Sequence, residues 1–399
     1  MHILMIAPEP FFEPRGTAFS EYHRIRALTD LGHTVDLVTY PFGKDVPIRG
    51  LRVYRSLRPP FMRRIGIGPS FAKVPLDVLL ALTAVRRAFT GRYDAVHSHE
   101  EGIAIGIVLA WFLRLPHLYD MHSSLPQQLT NFAFSRSRLL TGFFVALERF
   151  VVRHSRVVVV ICPHLQSLVR TIDPDVRSVL IENAPGSSDG ETQGVPEALR
   201  AGLGLTPTQP VILYTGTFEA YQGLDLLIAA LVRVRQQRPD ARLVMAGGQP
   251  KQIAAVREEV ARLGVADAVV FAGQRPASEI PLYLRMANIL VSPRSTGTNT
   301  PLKIYQYLRS GTPIVATRLL THTQVLTDDI AVLTPATPEG FAEGILHVMA
   351  DPGAASAVAA RARQLAETKY SYEAYLARTK EACAHLFGAP PVPASEGVA

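Results

Sequence analysis

The sequence predicts an α/β protein made of two doubly wound domains that face a cleft. Its length, 399 residues, exceeds what a single hydrophobic core usually supports. Short apolar runs alternate with longer segments of helical periodicity, a pattern typical of parallel sheets that are covered on both faces. The alternation stops once, about half-way along the chain, in a stretch rich in Gly, Pro, Ser and Thr. Each half is therefore expected to form its own sheet, with ligands bound at the carboxyl ends of the strands.

The first half, residues 1–185, is expected to form an N-terminal α/β domain. Its strands are predicted at Ile3–Ala7, Val35–Tyr40, Ala95–Ser98, His117–Tyr119, Val157–Ile161 and Val179–Ile181. Its helices are predicted at Ala18–Leu31, Leu76–Phe89, Ile103–Leu113 and Leu139–Val152. Residues 186–209, which hold most of the Gly- and Pro-rich stretch, are expected to be a linker.

The second half, residues 210–370, repeats the same alternation. Its strands are predicted at Val211–Tyr214, Arg242–Met245, Val269–Ala272, Ile289–Val291, Ile314–Ala316 and Ala331–Leu333. Its helices are predicted at Leu224–Arg235, Ile253–Leu263, Pro301–Arg309, Pro338–Ala350 and Ala354–Thr368. A last helix, Tyr372–Leu386, falls within residues 371–388, and the Pro- and Ala-rich residues 389–399 are expected to be a flexible tail.

The composition narrows the class of protein. A hydrophobic content of 48% indicates an ordered globular chain. The two cysteines, Cys162 and Cys383, are too few for a disulfide framework, which favours a reducing, cytoplasmic location. The N-terminal sequence MHILMIAPEP reads as a buried strand and not as a signal peptide. The longest apolar run, Ile103–Leu113, is shorter than the roughly 20 residues that span a bilayer, so the protein is expected to be soluble or peripheral.

Positive charge is concentrated in the first half. Residues 1–183 carry 22 Lys and Arg against 15 Asp and Glu, whereas residues 184–399 carry 19 of each. The segment from Arg49 to Lys73 is basic, lacks acids and includes Phe61 and Phe71. It is either an ordinary solvated face or a surface that adsorbs to an anionic membrane. In the second case the protein would be cytoplasmic and peripheral on the inner face of the membrane. No nucleic-acid motif accompanies it, so nucleic acid is not an expected partner.

Two places in the first half are candidate binding sites. Gly16 and Thr17 open a helix after the first strand, where a glycine lets backbone amides approach a ligand closely. His122 follows a predicted strand in the sequence YDMHSSLPQQ, beside Asp120, and strand ends of this kind carry function. His97 and His99 follow another strand and could suggest a metal, but the sequence arranges no further ligands around them. We therefore expect no metal.

The glycine turn in YTGTFEAYQGLDLLIAAL is a phosphate-shaped loop that contains no basic residue. Gly216 and Gly223 allow close backbone approach, while Thr217 and Gln222 offer only neutral hydrogen bonds. Two further strand ends in this half present candidate ligand contacts, Gly247 in VMAGGQP and Gln274 in FAGQRP. The turn therefore raises the question of where a positive charge would come from.

The most specific signal is the segment SPRSTGTNTPLKIYQYL. Thr300 is expected to be the N-cap of a helix whose first residue is Pro301. Free amides at a helix start attract phosphate, and a nearby cation strengthens that attraction. Lys303 in the first turn and Arg294 in the preceding loop supply such cations. This helix start is therefore a predicted anion site.

These motifs resemble those of the retaining glycosyltransferases of the GT-B fold in family 4, the glycosyl transferases of group 1. The resemblance extends from Met1 to about Leu386 and implies two Rossmann-like domains, with a last helix that crosses back to the first. It implies transfer of a sugar from a nucleotide diphosphate, a UDP- or GDP-sugar, with retention of configuration and without a tightly bound metal or cofactor. The donor would lie against the C-terminal domain, and the acceptor against the N-terminal one.

The resemblance also implies roles for individual residues. Gly16 and the turn Gly216–Gly223 would approach the donor phosphates, and His122 would contact the transferring sugar. The family usually has an arginine and a lysine where Thr217 and Gln222 stand. The remaining donor contacts are expected from Thr298 and Gln306, two uncharged residues where the family usually has glutamates. The helix start at Asn299, Thr300, Pro301 and Leu302 is expected to contact the donor as well. We expect Lys303, with Arg294, to supply the missing charge, so that His122 and Lys303 are the candidate catalytic residues.

Other functions remain open at this point. A non-catalytic or regulatory GT-B protein that binds nucleotide sugar would also lack the charges of the turn. An epimerase of the same fold would need a pair of carboxylates beside the sugar, and the sequence shows no convincing pair. The basic segment suggests a lipid-linked or membrane-borne glycan as the acceptor. The sequence indicates neither the identity of that acceptor nor an oligomeric state.

Overall fold

A computed structural model shows that the chain forms two compact α/β units. It describes residues 1–13, 16–60, 62, 73–127, 138–182 and 194–388. The described residues of Met1–Asn183 and Glu373–Ala399 form the first unit, and those of Ala184–Tyr372 form the second. Each unit is built on one parallel sheet.

The first unit holds a seven-stranded sheet in the order β3-β2-β1-β4-β5-β6-β7. Its strands are β1 His2–Ala7, β2 Thr34–Thr39, β3 Leu51–Arg55, β4 Ala95–His99, β5 His117–Met121, β6 Val157–Val160 and β7 Ser178–Leu180. The order reverses beside β1, which lies between β2 and β4. Such a reversal opens a crevice at the carboxyl ends of the two central strands, which is where doubly wound sheets bind ligands.

Helices cover both faces of this sheet. They are α1 Gly16–Asp30, α2 Val74–Thr90, α3 Ile103–Leu113, α4 Arg138–His154 and α5 Pro163–Ile172. Because side chains alternate along a strand, β1 supplies two separate cores. Ile3 and Met5 pack in the cluster that contains Ile25 of α1, whereas Leu4 and Ile6 pack in the cluster that contains Leu80 of α2. Both faces of the sheet are therefore buried.

The second unit holds a six-stranded sheet in the order β10-β9-β8-β11-β12-β13. Its strands are β8 Val211–Gly216, β9 Arg242–Gly247, β10 Val269–Gly273, β11 Ile289–Ser292, β12 Ile314–Thr317 and β13 Val332–Thr334. Its helices are α6 Pro196–Gly202, α7 Leu224–Gln237, α8 Pro250–Arg262, α9 Ile280–Met286, α10 Leu302–Ser310, α11 Leu320–Thr323, α12 Pro338–Ala350 and α13 Pro352–Thr368. The order reverses between β8 and β11, so their carboxyl ends mark the corresponding crevice.

The last helix, α14 Tyr372–Phe387, contributes its residues from Glu373 onward to the first unit. Tyr375, Thr379 and Cys383 are buried on one side of it. Thr379 Oγ1 accepts a hydrogen bond from Arg24 of α1, and Cys383 joins the apolar cluster around Ile25. The first unit is thus assembled from both ends of the sequence.

The predicted fold class is confirmed, since both halves are doubly wound α/β structures. Strand β3 was not predicted, because it is an edge strand of sequence LRVYR whose alternating arginines hide its apolar pattern. Helix α6 lies inside the predicted linker 186–209 and was also missed, because a helix of 7 residues carries little periodicity. The rest of that linker before residue 194, most of the basic segment beyond Pro60, and the predicted tail 389–399 lie outside the described residues.

Among the described helices, none is both long and apolar enough to cross a bilayer.

Candidate functional site

The first unit gathers four ionisable side chains at the carboxyl ends of β4 and β5. His97 and His99 lie in β4, Asp120 lies in β5, and His122 follows β5 directly. All four are buried. Asp120 Oδ1 lies 3.2 Å from His122 Nε2, and Asp120 Oδ2 lies 3.4 Å from His97 Nε2. The two polar clusters that were predicted after separate strands are therefore one cluster.

Arg24 of α1 completes the charge balance of this cluster. Its Nε donates a hydrogen bond of 2.7 Å to Asp120 Oδ2, and both side chains are almost completely shielded from solvent. Burial alone would raise the pKa of Asp120, but Arg24 and then His122 hold that pKa well below its usual range. Asp120 is therefore an ionised carboxylate. Arg24 was not predicted from the sequence, since it lies two turns into a helix and carries no local signal of its role.

Asp120 also controls the charge of His122. Burial would lower the pKa of His122, but the Asp120 carboxylate outweighs burial and raises it. For His97 and His99 burial wins, and it lowers both pKa values. The raised pKa of His122 thus favours its protonated imidazole, whereas the lowered pKa values of His97 and His99 favour neutral rings. A positively charged ring at a strand end is suited to contact an electron-rich ligand group.

Two carboxyl groups, one from the buried Glu21 and one from the partly buried Glu9, lie close to this cluster and were not singled out from the sequence. Glu21 of α1 is fully buried, and burial, with a smaller contribution from the Asp120 charge, raises its pKa to about 8. Burial and then the neighbouring Glu21 raise the pKa of Glu9, which follows β1. Both shifts favour the protonated carboxylic acid, which can donate a hydrogen bond. The position of Glu9 just after a strand could have revealed it.

His97, His99 and Asp120 could together hold a metal ion, since one ligand atom from each lies within 4.8 Å of the others. No metal was expected from the sequence because a third ligand was not visible there, and the fold brings Asp120 to that position from the neighbouring strand. Arg24 donates to Asp120 Oδ2, however, and its positive charge competes with a cation for that carboxylate. The Asp120 carboxylate thus already contacts Arg24 and His122 within the described part of the chain, and both compete with a metal ion for it.

The helix predicted to open at Gly16 does begin there. Thr17 follows in its first turn and is partly buried, while Pro14 and Arg15 lie outside the described residues. Because α1 follows β1, its start belongs to the same edge of the sheet as the Asp120 cluster.

In the second unit, Lys303 lies beneath the glycine turn, which has no basic residue of its own. Its Nζ donates hydrogen bonds to the carbonyl of Thr215, at 3.1 Å, and to Gln222 Oε1, at 3.3 Å. It also lies 4.0 Å from the ring centroid of Tyr214. Burial, with Arg294 adding to it, lowers the pKa of Lys303 well below its ordinary value. An anion above the turn would favour the protonated amine, because it would supply the compensating charge.

Hydrogen bonds between neutral groups also hold the turn. The Tyr214 hydroxyl donates to the Thr217 carbonyl at 2.6 Å, and Gln222 Nε2 lies 3.4 Å from Thr217 Oγ1. Gln222 thus contacts both Thr217 and the Lys303 amine. Lys303 was expected to provide the charge that the turn lacks, and the structure brings Lys303, Gln222 and Thr217 together.

Two glycines form the exposed backbone edge at the ends of β8 and β9. Gly216 and Gly247 are paired in the sheet, with φ angles of 136° and 132° that favour glycine. A Cβ on Gly247 would lie 1.8 Å from the Gly216 carbonyl oxygen, so no side chain fits there. The edge is consequently free of side chains at both positions, and a ligand can reach the backbone.

The helix start predicted as an anion site lies beside this edge, with one correction. Pro301, not Thr300, is the N-cap, and α10 begins at Leu302. Pro301 has the φ of −65° that its ring imposes, but its ψ of 134° is extended, so it lies outside the helix. The Oγ1 of Thr300 is buried and has no hydrogen-bond partner among the described residues. It is available to a ligand together with the first-turn amides.

Arg294 fixes the loop that precedes α10. Its Nη1 donates to the Asn299 carbonyl at 3.1 Å and to Thr321 Oγ1 at 3.0 Å. Burial lowers the pKa of Arg294 from its ordinary, very high value. Gln306, one turn after Lys303, is partly exposed. Arg294 therefore supports the loop directly and adds positive charge near Lys303.

Gln274 is placed apart from these residues. It is exposed after β10, one of the two edge strands of the sheet. Among the described residues, no hydrogen bond joins it to Lys303, Gln222 or Thr217.

Comparison with known proteins assigns the family. Residues 17–184 match the glycosyl transferase 4-like domain, and residues 209–351 match the glycosyl transferases group 1 domain. The chain belongs to the group 1 glycosyltransferases. It is therefore a glycosyltransferase by family, with one matched domain in each structural unit.

Three curated relatives show the range of the family. The D-inositol 3-phosphate glycosyltransferase of Segniliparus rotundus is 30% identical over 167 residues, which are 40% of this chain and 36% of that enzyme. That of Kribbella flavida is 24% identical over 348 residues, 82% of this chain and 81% of the enzyme. A GDP-mannose-dependent phosphatidylinositol monomannoside mannosyltransferase of Mycolicibacterium smegmatis is 28% identical over 190 residues, 46% of this chain and 49% of the enzyme.

Solved structures confirm the GT-B fold. Sucrose-phosphate synthase of Thermosynechococcus elongatus superposes with a TM-score of 0.78 at 21% identity, covering 98% of this chain and 100% of that one. The HepE protein of Anabaena, solved in complex with UDP-glucose, gives a TM-score of 0.72 at 17% identity, covering 96% of this chain and 99% of that one. At these identities the likeness establishes the fold alone.

Proposed function

We propose that this glycosyltransferase moves a sugar from a nucleotide diphosphate to an acceptor with retention of configuration and without a metal. The observation that carries the proposal is the placement of Lys303. Its amine lies beneath the side-chain-free edge of Gly216 and Gly247, beside the start of α10. A cation, exposed backbone and helix-start amides are what a diphosphate requires.

The charge of Lys303 suits the chemical step. As the sugar becomes oxocarbenium-like, the departing diphosphate gains negative charge, and preorganised donors that stabilise it lower the barrier. Loss of one such donor costs roughly 3 kcal/mol, about a hundredfold in rate. Because the buried amine of Lys303 has few solvent contacts, its interaction with a growing anion is strong. Arg294 and the α10 amides would support the same oxygen atoms.

We assign the remaining contacts of the donor site by the same reasoning. Thr217 and Gln222 would hydrogen-bond the diphosphate, Thr300 Oγ1 and the Asn299 loop would contact phosphate or sugar, and Gln306 would hydrogen-bond the ribose. Gln274, exposed at the sheet edge, is the candidate contact for the base. UDP- and GDP-sugars are both candidate donors, because a structural neighbour was solved with UDP-glucose and a relative is named for GDP-mannose.

In the first unit, we assign His122 to the transferring sugar. Its ring is held by Asp120, and its raised pKa favours the cationic form, which suits a hydroxyl-rich ligand. The carboxyl groups of Glu9 and Glu21, whose raised pKa values favour the protonated form, would extend this polar surface. Gly16 and Thr17, at the start of α1, would bring backbone amides to the donor phosphates.

The test is a thermal-shift and turnover comparison of Lys303 variants. Lys303→Met keeps the volume of the buried side chain but removes its charge, and Lys251→Met changes an exposed lysine in the same unit as a control. A ligand that binds only the native state raises its melting temperature. We expect UDP or GDP to stabilise the wild type and the control, and Lys303→Met to lose most of that shift and at least tenfold in turnover.

The outcomes separate the proposal from its rival. Near-normal transfer by a folded Lys303→Met variant would contradict the assignment of Lys303. Stabilisation by a nucleotide without transfer to any glycan acceptor would favour a non-catalytic protein that binds nucleotide sugar. The anomeric configuration of the product, read by nuclear magnetic resonance, tests retention, and activity that survives a chelator tests independence from metal.

We further propose a lipid-linked or membrane-borne acceptor at the cytoplasmic face of a membrane. The excess of Lys and Arg over Asp and Glu in residues 1–183 supports this proposal. So does the name of the Mycolicibacterium smegmatis relative, which includes a phosphatidylinositol monomannoside, a lipid. Part of the predicted basic segment has another role, since Arg55 in β3 donates to the carbonyls of Phe11 and Phe42. The positions Phe61 and 63–72 lie outside the described residues.

A further inference from the structure

Three helices of the first unit expose large apolar side chains. Along α2 they occur at spacings of three and four residues, opposite the buried Leu76, Leu80, Ala84 and Ala88. We call the combined surface the α2–α4 face. Its exposed apolar members are Val74, Val78, Leu82, Val85 and Phe89 of α2, Val108, Trp111 and Phe112 of α3, and Leu139, Phe143 and Phe150 of α4.

These side chains form one surface because the helices are neighbours. α3 contacts α2 on one side and α4 on the other. Trp111 is 75% exposed, and its ring packs edge-on against Phe112 at 4.8 Å between centroids. Isolated exposed apolar residues are ordinary, but a continuous set of this size on adjacent helices marks an interaction surface.

The central helix of the face is unlike a solvated helix. α3, with the sequence IAIGIVLAWFL, contains no charged residue. A helix that is apolar on all sides is normally buried in a core or placed in contact with lipid. Ile103, Ile107 and Leu109 face the protein, so the exposed Trp111 and Phe112 are left for an outside partner.

The fully exposed charged side chains on or directly next to the three helices have one sign among the described residues. Exposed arginines on or next to the three helices are Arg86, Arg114, Arg138, Arg149 and Arg153. The acids of these helices turn inward: Asp77 accepts a hydrogen bond from the Tyr40 hydroxyl, and the buried Glu148 accepts from Ser124 Oγ and Leu125 N. The outer surface of the described helices is therefore apolar and cationic.

This combination identifies the partner. Aromatic rings and arginines with long apolar stems suit the boundary between acyl chains and headgroups, and the positive charge is complementary to anionic lipid. A second copy of the chain would bring arginines against arginines, which disfavours self-association through the same face.

The face also adjoins the polar cluster of the first unit. Glu148, on the inner side of α4, binds Ser124 and Leu125, which follow His122 in the chain. Likewise α3 follows β4, which carries His97 and His99, after a single turn at Glu100–Gly102. Lipid bound at the outer side of these helices would lie close to the acceptor side of the unit.

We propose that the α2–α4 face docks on an anionic lipid surface and thereby presents a membrane-borne acceptor to the first unit. The second part of this statement rests on the proposed function, whereas docking itself does not. This surface differs from the basic segment indicated by the sequence, since it begins where that segment ends, at Val74.

The test is co-sedimentation of the full chain with vesicles. We expect wild-type protein to bind phosphatidylcholine vesicles that contain phosphatidylglycerol, and to bind pure phosphatidylcholine at least tenfold more weakly. The double variant Trp111→Ser with Phe112→Ser, and separately Arg149→Glu with Arg153→Glu, should each lower binding at least tenfold. Val195→Ser, an exposed apolar change in the second unit, is the matched control and should bind as the wild type does.

The nucleotide-induced thermal shift is measured on every variant as a separate readout. Wild-type protein that ignores anionic vesicles, or surface variants that bind them unchanged, would overturn the docking proposal whether or not the nucleotide shift is present. Sedimentation velocity supplies a further check: a dimer that dissociates only in the Trp111 and Phe112 variant, without vesicle binding, would overturn it in favour of a second copy. A docking protein that lacks a nucleotide shift would instead contradict the proposed function.

Discussion

Burial decides the charge of single residues in both units. Lys303 and Glu21 have opposite charges when ionised, yet burial favours the neutral form of both. It lowers the pKa of Lys303 and raises the pKa of Glu21. Asp120 is the exception, since Arg24 donates directly to it and keeps it ionised. The charges of these three side chains are therefore set by their surroundings and not by residue type alone.

Glu21 provides a test through the pH dependence of stability. Its pKa is about 8 in the folded protein, whereas in the unfolded chain it returns to about 4.5. Between these values the folded state holds the proton and the unfolded state does not, so stability falls as the pH rises. Glu21→Gln cannot lose a proton, and its melting temperature should therefore fall less than that of the wild type between pH 5 and pH 8.

The matched control for this experiment is Glu258→Gln, which changes an exposed glutamate. Its melting temperature should follow the wild type across the same pH range. Parallel curves for Glu21→Gln and the wild type would show that Glu21 is ionised in the folded protein at neutral pH.

The same residues show how far sequence could predict the site. His122 and Lys303 could be predicted as candidates because a strand end and a helix start are local features of the sequence. Arg24, Glu9 and Glu21 were missed because their roles arise from contacts with Asp120, a residue distant in sequence. Local patterns indicate where a site lies, and tertiary contacts decide which further side chains carry charge there.

At the scale of elements, the paired glycines at the ends of β8 and β9 form the exposed backbone edge of the proposed donor site. A Cβ at position 247 would meet the Gly216 carbonyl at 1.8 Å, and the φ of Gly247 is already in the region that favours glycine. Gly247→Ala should therefore separate the two strand ends, lower the melting temperature by several degrees and weaken the nucleotide-induced shift. Thermal denaturation with and without UDP or GDP measures both effects.

Gly264→Ala is the matched control for steric conflict. Gly264 also has a positive φ, of 70°, but nothing lies within 4 Å of a Cβ built on it. It carries the backbone strain without the clash, so its nucleotide-induced shift should be that of the wild type. An equal loss in both variants would mean that strain alone, and not the close pairing of Gly216 with Gly247, causes the effect.

Sequence periodicity predicted the elements of the two sheets better than their edges. Central strands such as β1 and β8 are apolar along most of their length, because both faces of a doubly wound sheet are covered. β3 was missed because an edge strand is only partly buried, and the start of α10 was placed one residue early because proline fits both the cap and the first turn. Patterns of hydrophobicity therefore predict the central strands of a sheet. They do not predict its partly buried edge strands or the residue at which a helix begins.

At the scale of the whole molecule, the sequence order and the structural units do not coincide. The second unit lies between two parts of the first in the sequence, since residues from Glu373 onward pack with residues 1–183. Arg24 of α1 connects the two parts, because it contacts Asp120 through Nε, Thr379 through Nη1 and the ring of Tyr375. The C-terminal helix thus supports the residue that keeps Asp120 ionised.

Truncation after Tyr372 tests this arrangement. It removes the buried side chains of α14, leaving apolar surface around Ile25 uncovered and Arg24 without Thr379 and Tyr375. We expect the first unit to unfold at a clearly lower temperature, while the second unit, which holds Lys303 and the glycine edge, keeps its nucleotide-induced shift. Limited proteolysis with mass spectrometry locates the unfolding, with cleavage expected in residues 1–183 and not in residues 194–372.

Truncation after Gly388 is the control, because it removes none of these contacts and should leave both readings unchanged. Equal loss of stability in both units after the longer truncation would contradict the division, since α14 would then support the second unit as much as the first.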